Sequence, residues 1–165
     1  MSAAEARVLA PVLPPEVVAA IEAEIPNYPV KKGAMMNSLH HVQKALGWIP
    51  RDAMVEVAAL LEVRPIEVLE VVTFYPMFRD RPVGRHHLEF CRNLSCSMCG
   101  AERLMGHLKQ KLGIGPGETT ADGRFTYSTV ECLGSCGTAP MLMLEDHFHE
   151  NLTVEKLDQL LDSLD

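Results

Sequence analysis

Residues 124–144 read RFTYSTVECLGSCGTAPMLML. The first eight are rich in Thr, Val and aromatic side chains, which suit a pleated, half-buried surface, so a strand is expected up to Cys132. Gly134, Gly137 and Pro140 then mark a tight bend with a stiffened exit, where the glycines permit close backbone approach to the sulfurs. PMLML is a short continuous apolar run, the pattern of a buried strand. The stretch therefore reads as strand, bend with two cysteines, strand. Residues 84–96, GRHHLEFCRNLSC, follow the same logic. HHLEF alternates as a strand ending at Cys91, and Cys96 lies five residues on.

Working outward, Met98, Ala101, Leu104, Met105, Leu108 and Leu112 form one helical stripe that begins just after Cys96. GIGPGETTADG, 113–123, is a turn-rich loop, and HFHENLT, 147–153, reads as an edge strand or turn. Val154, Leu157, Leu160, Leu161 and Leu164 give a last helix, capped by Thr153. The order is β-α-β-β-α. Before RDRPVG, 79–84, the periodicity is helical throughout. Helices are expected from Pro15, from Met35 to a stop at Gly47, after Pro50, and from Pro65 to a point before Pro76. The expected fold class is α+β, with a helical bundle over residues 1–80 and a second domain over 85–165.

All five cysteines fall between positions 91 and 136 of the 165 residues. An odd, clustered set in a chain without an evident export signal points to metal or redox chemistry rather than a disulfide framework. The spacing is Cys91-x4-Cys96, then 35 residues, then Cys132-x3-Cys136. Adjacent strand ends would bring both pairs to one sheet edge, where four thiolates could hold a [2Fe–2S] cluster, one pair per iron. Arg92 is a nearby cation to offset the negative charge of such a cluster. Zinc is a rival, because Cys96-x2-Cys99 is a common half-site that Cys132 and Cys136 could complete. A dithiol redox motif at Cys96 and Cys99 is another, and inert buried cysteine is a third.

Beyond these spacings, GRHHLEFCRNLSC, DGRFTYSTVECLGSCGTAPMLML, ALGWIPRDAMVEVAALLEV and EVVTFYPMF together resemble the E subunit family of bacterial NADH–quinone oxidoreductase, the thioredoxin-like [2Fe–2S] protein of respiratory complex I. The resemblance covers roughly residues 15–165. Equivalent subunits of NAD-linked hydrogenases and formate dehydrogenases are similar to it. It implies a thioredoxin-like second domain and one [2Fe–2S] cluster on Cys91, Cys96, Cys132 and Cys136. It implies no catalytic site on this chain, and a partner flavoprotein subunit that binds FMN and NADH and exchanges single electrons with the cluster. Cys99 is not a ligand position of that family. A place in the cytoplasm, peripheral to the inner membrane through the parent complex, is also implied.

Composition narrows the rest. A net charge of −7 argues against nucleic acid, whose phosphates require Lys and Arg. No apolar run approaches the ~20 residues of a bilayer span, so no direct membrane insertion is expected. GIGPG opens no apolar helix and follows no strand, so no NADH site is assigned here. Of seven histidines, the pairs His40–His41, His86–His87 and His147-x-His149 are expected to be solvated surface groups. Most of the nine methionines fall on helical stripes and read as core. Thr73, Phe74 and Tyr75 form an aromatic cluster that suits either core or partner contact.

Overall fold

The structure, a computed structural model, describes residues 12–164. The chain forms two compact units that part between Pro82 and Val83. The first is helical: α1 (Pro15–Glu24), α2 (Met35–Leu46), α3 (Arg51–Leu61) and α4 (Pro65–Phe74), with two short 3-10 turns between α1 and α2. Proline opens α1 and α4 at a position where its missing N–H costs nothing. The apolar stripes converge on a core that includes Ile21, Leu39, Val42, Ile49, Val57, Leu61, Val68 and Val72. Leu46 and Met36 lie only partly buried against it.

The start of α4 is fixed by charge as well as by proline. Glu67 accepts hydrogen bonds from the Arg64 backbone N–H at 3.0 Å and from Lys32 Nζ at 2.7 Å. The Lys32 contact, then the Arg64 amide and guanidinium, pull the Glu67 carboxyl down from its ordinary 4.5 to about 2. A carboxyl depressed on folding stabilises the folded chain fully above its ordinary pKa, and that contribution is lost as pH falls through the folded value. Glu67→Gln should therefore cost stability at pH 7 and cost progressively less as pH falls from 4.5 toward 2. Denaturation midpoints of both proteins across that range measure it.

The second unit is a four-stranded sheet with helices. Its elements are β1 (His86–Cys91), α5 (Leu94–Met98), α6 (Ala101–Leu112), β2 (Phe125–Val130), β3 (Leu142–Leu144), β4 (His147–His149) and α7 (Val154–Ser163). The strand order is β2-β1-β3-β4. β1 and β2 are parallel, with Cys91 opposite Val130, and the other pairs are antiparallel. Leu88, Phe90, Phe125, Tyr127, Leu142 and Leu144 meet Leu104 and Leu108 of α6 and Leu157 and Leu161 of α7 in one core. The architecture is the expected α+β class with a small mixed sheet. The Thr153 hydroxyl caps α7 by accepting from Lys156 N–H at 3.3 Å.

Three local expectations need correction. The single helix after Cys96 is two helices, because Gly100 adopts the left-handed φ of +98° and ends one before the other begins. Met98 accordingly leaves the stripe and is 78% exposed. β2 ends at Val130, so Cys132 stands in the turn beyond the strand. His87 is buried rather than solvated, on the β1 face that also buries Glu89, and its Nε2 lies 2.9 Å from Ser128 Oγ.

Candidate metal centre

Parallel pairing places the C-terminal ends of β1 and β2 side by side. Cys91 is the last residue of β1, and Cys132 follows two residues after its register partner Val130. Beyond Cys91 the chain turns at once into α5, where Asn93 Oδ1 accepts from Leu94 N–H at 2.7 Å. That cap sets Cys96 on the first turn of α5, where it is buried. Beyond Cys132, Gly134 takes a left-handed φ of +83°, which a side chain would strain. The reversal delivers Cys136 to the start of a 3-10 turn, Cys136–Thr138. Nothing around Gly137 requires a glycine: its φ is ordinary and an added Cβ would meet open space.

The four sequence-predicted thiols are brought together. The Cys96 and Cys132 thiols both act on the Cys91 thiol, and Cys96 feels the charge of Cys91 and Cys136. Backbone donors point at the sulfurs. Gly134 N–H donates to Cys132 Sγ at 3.3 Å, the Asn93 and Leu133 amides donate to Cys91, and the Met141 amide donates to Cys96. Burial opposes ionisation of Cys91, but the Asn93 and Leu133 amides with the Cys96 and Cys132 thiols outweigh it, and its pKa falls below the ordinary value. Burial first, then the neighbouring Cys91, pushes the Cys96 thiol up to about 11. Met141, Ala101, Leu133 and Ala139 form the apolar surround. Cys91 and Cys96 are buried, while Cys132 and Cys136 are exposed.

This donor set fits a [2Fe–2S] cluster, which takes four thiolates over two irons and amide hydrogen bonds to sulfur. Cys99 stands apart. It is exposed at the C-terminal end of α5, beside a cavity of about 240 Å³ lined by Arg103, Pro140 and Leu152. Arg92 is held by Glu131 in an ion pair, so its charge is already matched within the chain. A support missed in the sequence is Glu150, which accepts hydrogen bonds from Ser135 and from Thr138 Oγ1, the latter at 2.6 Å. With Asn151 N–H donating to Thr138 O at 2.7 Å, it ties the Cys136 turn to the segment after β4. No spacing rule signals such a contact.

Comparison with known proteins bears on what this centre holds. The thioredoxin-like [2Fe–2S] ferredoxin family matches residues 21–165. One of the E subunits of NADH-quinone oxidoreductase from Rhizobium meliloti, numbered 2, is 48% identical over 143 residues, covering 87% of this chain and 85% of that protein. NADH-quinone oxidoreductase subunit 2 of Thermus thermophilus is 42% identical over 147 residues, covering 87% and 81%. The E subunit of the Escherichia coli (strain K12) NADH-quinone oxidoreductase is 38% identical, covering 87% and 86%. Among solved structures, an NAD+-reducing [NiFe]-hydrogenase in the air-oxidized state superposes with a TM-score of 0.66 at 24% identity, over 75% of this chain and 22% of that one. That likeness is one of fold. The chain belongs to the thioredoxin-like [2Fe–2S] ferredoxin family and groups with the E subunits of NADH–quinone oxidoreductases.

Proposed function

We propose that this chain is the one-electron carrier of an NADH–quinone oxidoreductase, holding its [2Fe–2S] cluster on Cys91, Cys96, Cys132 and Cys136 and exchanging electrons with the FMN of an NADH-binding partner subunit. The observation that carries this is the gathering of those four thiols at the neighbouring ends of two parallel strands, in a chain of this family. The bound cluster supplies a one-electron couple. The chain's own residues do the rest. Cys91 and Cys96 would hold the cluster from inside the fold, and Cys132 and Cys136 would hold it from the surface, where a partner can approach. The amides of Asn93, Leu133, Gly134 and Met141 stabilise negative charge on sulfur and so set the potential together with the apolar surround. NADH and FMN belong to the partner in this reading, and the chain sits at the membrane periphery through its complex. No described helix is long and apolar enough to cross a membrane.

The test is electron paramagnetic resonance of the dithionite-reduced chain, together with iron and acid-labile sulfide content. A rhombic signal from one binuclear cluster supports the reading; colourless protein with stoichiometric zinc overturns it. A diaphorase role in a hydrogenase or a formate dehydrogenase is the second reading. The hydrogenase likeness in fold favours it, but the 38–48% identity to quinone-linked subunits favours the first.

The helical unit supplies a docking handle in this reading. Residues 73–77, Thr-Phe-Tyr-Pro-Met, are all exposed, and Phe74 is 78% exposed with its ring edge-on to Tyr75 at 5.1 Å. Exposed adjacent aromatics of this kind mark protein interfaces. Phe74→Asp should weaken binding to the flavoprotein subunit by about tenfold or more while leaving the cluster signal unchanged. Titration calorimetry with the two purified subunits measures the first, and resonance the second.

A further inference from the structure

The outer edge of β2 is only half covered. Pairing with β1 uses alternate residues: His86 N–H donates to Arg124 O at 2.8 Å and Arg92 N–H to Val130 O at 3.1 Å. Strand alternation therefore turns the backbone groups of Phe125, Tyr127 and Thr129 the other way. The chain's own segment 117–120 takes up the first two. Gly117 N–H donates to Tyr127 O at 2.6 Å, Thr120 N–H donates to Phe125 O at 2.8 Å, and Thr119 bridges Thr126 in antiparallel sense. Among the described residues, no backbone group bonds to the outward N–H or C=O of Thr129. This open edge faces a groove of about 750 Å³ whose far wall is α6, through Ala101, Met105 and Gly106. The near end of the groove touches Arg92, Ser97 and Glu131, each next in sequence to one of Cys91, Cys96 and Cys132.

We propose that this groove receives an extended segment of the flavoprotein partner, which pairs antiparallel with Thr129 and lays an apolar side chain beside Met105 in the space over Gly106. This rests on the assembly proposed above. The occupant is a strand, because the floor offers the outward N–H and C=O of one strand residue, Thr129, between a sheet edge and a helix, the arrangement in which peptides add to sheets. The antiparallel sense continues that of residues 117–120. A second copy of this chain does not fit. Laying its β2 antiparallel with Thr129 against Thr129 would set residue 131 of the copy against Tyr127 and residue 133 against Phe125, where Gly117 and Thr120 already bond. The docked segment would lie beside the cysteine loops, bringing the partner's backbone to the exposed side of the centre.

The test compares the cluster-loaded chain alone and in complex with the flavoprotein subunit. The Thr129 amide is expected to exchange with deuterium about tenfold or more slowly in the complex. A Cβ added at Gly106 meets nothing within 4 Å, so a substitution there projects into the groove without disturbing the fold. Gly106→Trp is expected to weaken the complex about tenfold or more, with Gly106→Ala unchanged. Thr129→Pro removes the outward donor while leaving the β1 ladder intact, because proline is tolerated where an edge N–H faces outward, and it too is expected to weaken the complex. The cluster signal of each variant reports that it is folded. Unchanged Thr129 exchange in a complex that forms, or full affinity of Gly106→Trp, overturns the docking and leaves the assembly standing. Protection of Thr129 that grows with concentration of the isolated chain assigns the edge to a second copy and also overturns it. A cluster-loaded chain that binds no flavoprotein subunit removes the assembly and the docking together.

Discussion

Cys136→Ser is expected to abolish the [2Fe–2S] signal of the purified chain, and Cys99→Ser to leave it intact. The difference is chemical before it is structural. A cluster needs thiolate donors, and a serine hydroxyl is far harder to deprotonate than a thiol and binds iron as a harder, weaker partner at neutral pH. Position 136 is the informative one because Cys136 is exposed. The exchange leaves no cavity in the core, so the fold of the variant is judged against the cluster-free wild-type chain, which has lost the same bound-state stabilisation. The same exchange at the buried Cys91 or Cys96 would confound the two. Cys99 is the internal control: it lies three residues from Cys96 and is as exposed as Cys136, but it is not one of the thiols that act on Cys91 and Cys96. Visible absorption, reduced-state resonance and iron and sulfide content read the outcome, with circular dichroism reporting the fold. A full cluster in Cys136→Ser, or an empty centre in Cys99→Ser, would overturn the ligand set.

The centre was legible in the chain to the extent that it depends on local pattern. HHLEF alternates, and the β-branched run before Cys132 is strand-like, so each cysteine pair reads as beginning at a strand end, which holds for Cys91 and misses Cys132 by two residues. The helices of the first unit were legible because proline and glycine punctuate clean apolar stripes. What escaped depends on partners distant in sequence. Nothing in the 98–112 periodicity distinguishes one helix from two, since Gly100 is tolerated in an amphipathic pattern and only its left-handed backbone divides it. His87 looks like a surface histidine until β2 supplies Ser128 opposite and the sheet face closes over it. Arg92 looked like a free cation because its partner Glu131 is 39 residues away. Glu150 is likewise joined to the Cys136 turn only by the fold.

The sheet itself is held by a small core, and Phe90→Ala should show how small. Phe90 is fully buried, stands opposite Thr129 of β2 and Leu142 of β3, and meets the Tyr127 ring edge-on at 6.2 Å. Truncating a buried Phe costs about 3–5 kcal/mol, the sum of lost transfer energy and the cavity left behind. A unit of this size has a total stability of roughly 4–12 kcal/mol at typical values per residue, so the substitution removes about a quarter of it or more. In melting temperature that is a fall of at least about 12 °C for a domain in this size class. The measurement belongs on the cluster-free chain, because a group bound only by the folded state adds stability by mass action and would mask the loss. The companion change Leu39→Ala, in the core of the helical unit, should cost about 2–5 kcal/mol there. If the two units unfold independently, each substitution moves one transition and leaves the other in place. A fall of only about 1–2 °C for Phe90→Ala would mean that the sheet and α6 do not close over that ring, and the shared strand ends that gather the four thiols would lose their structural basis.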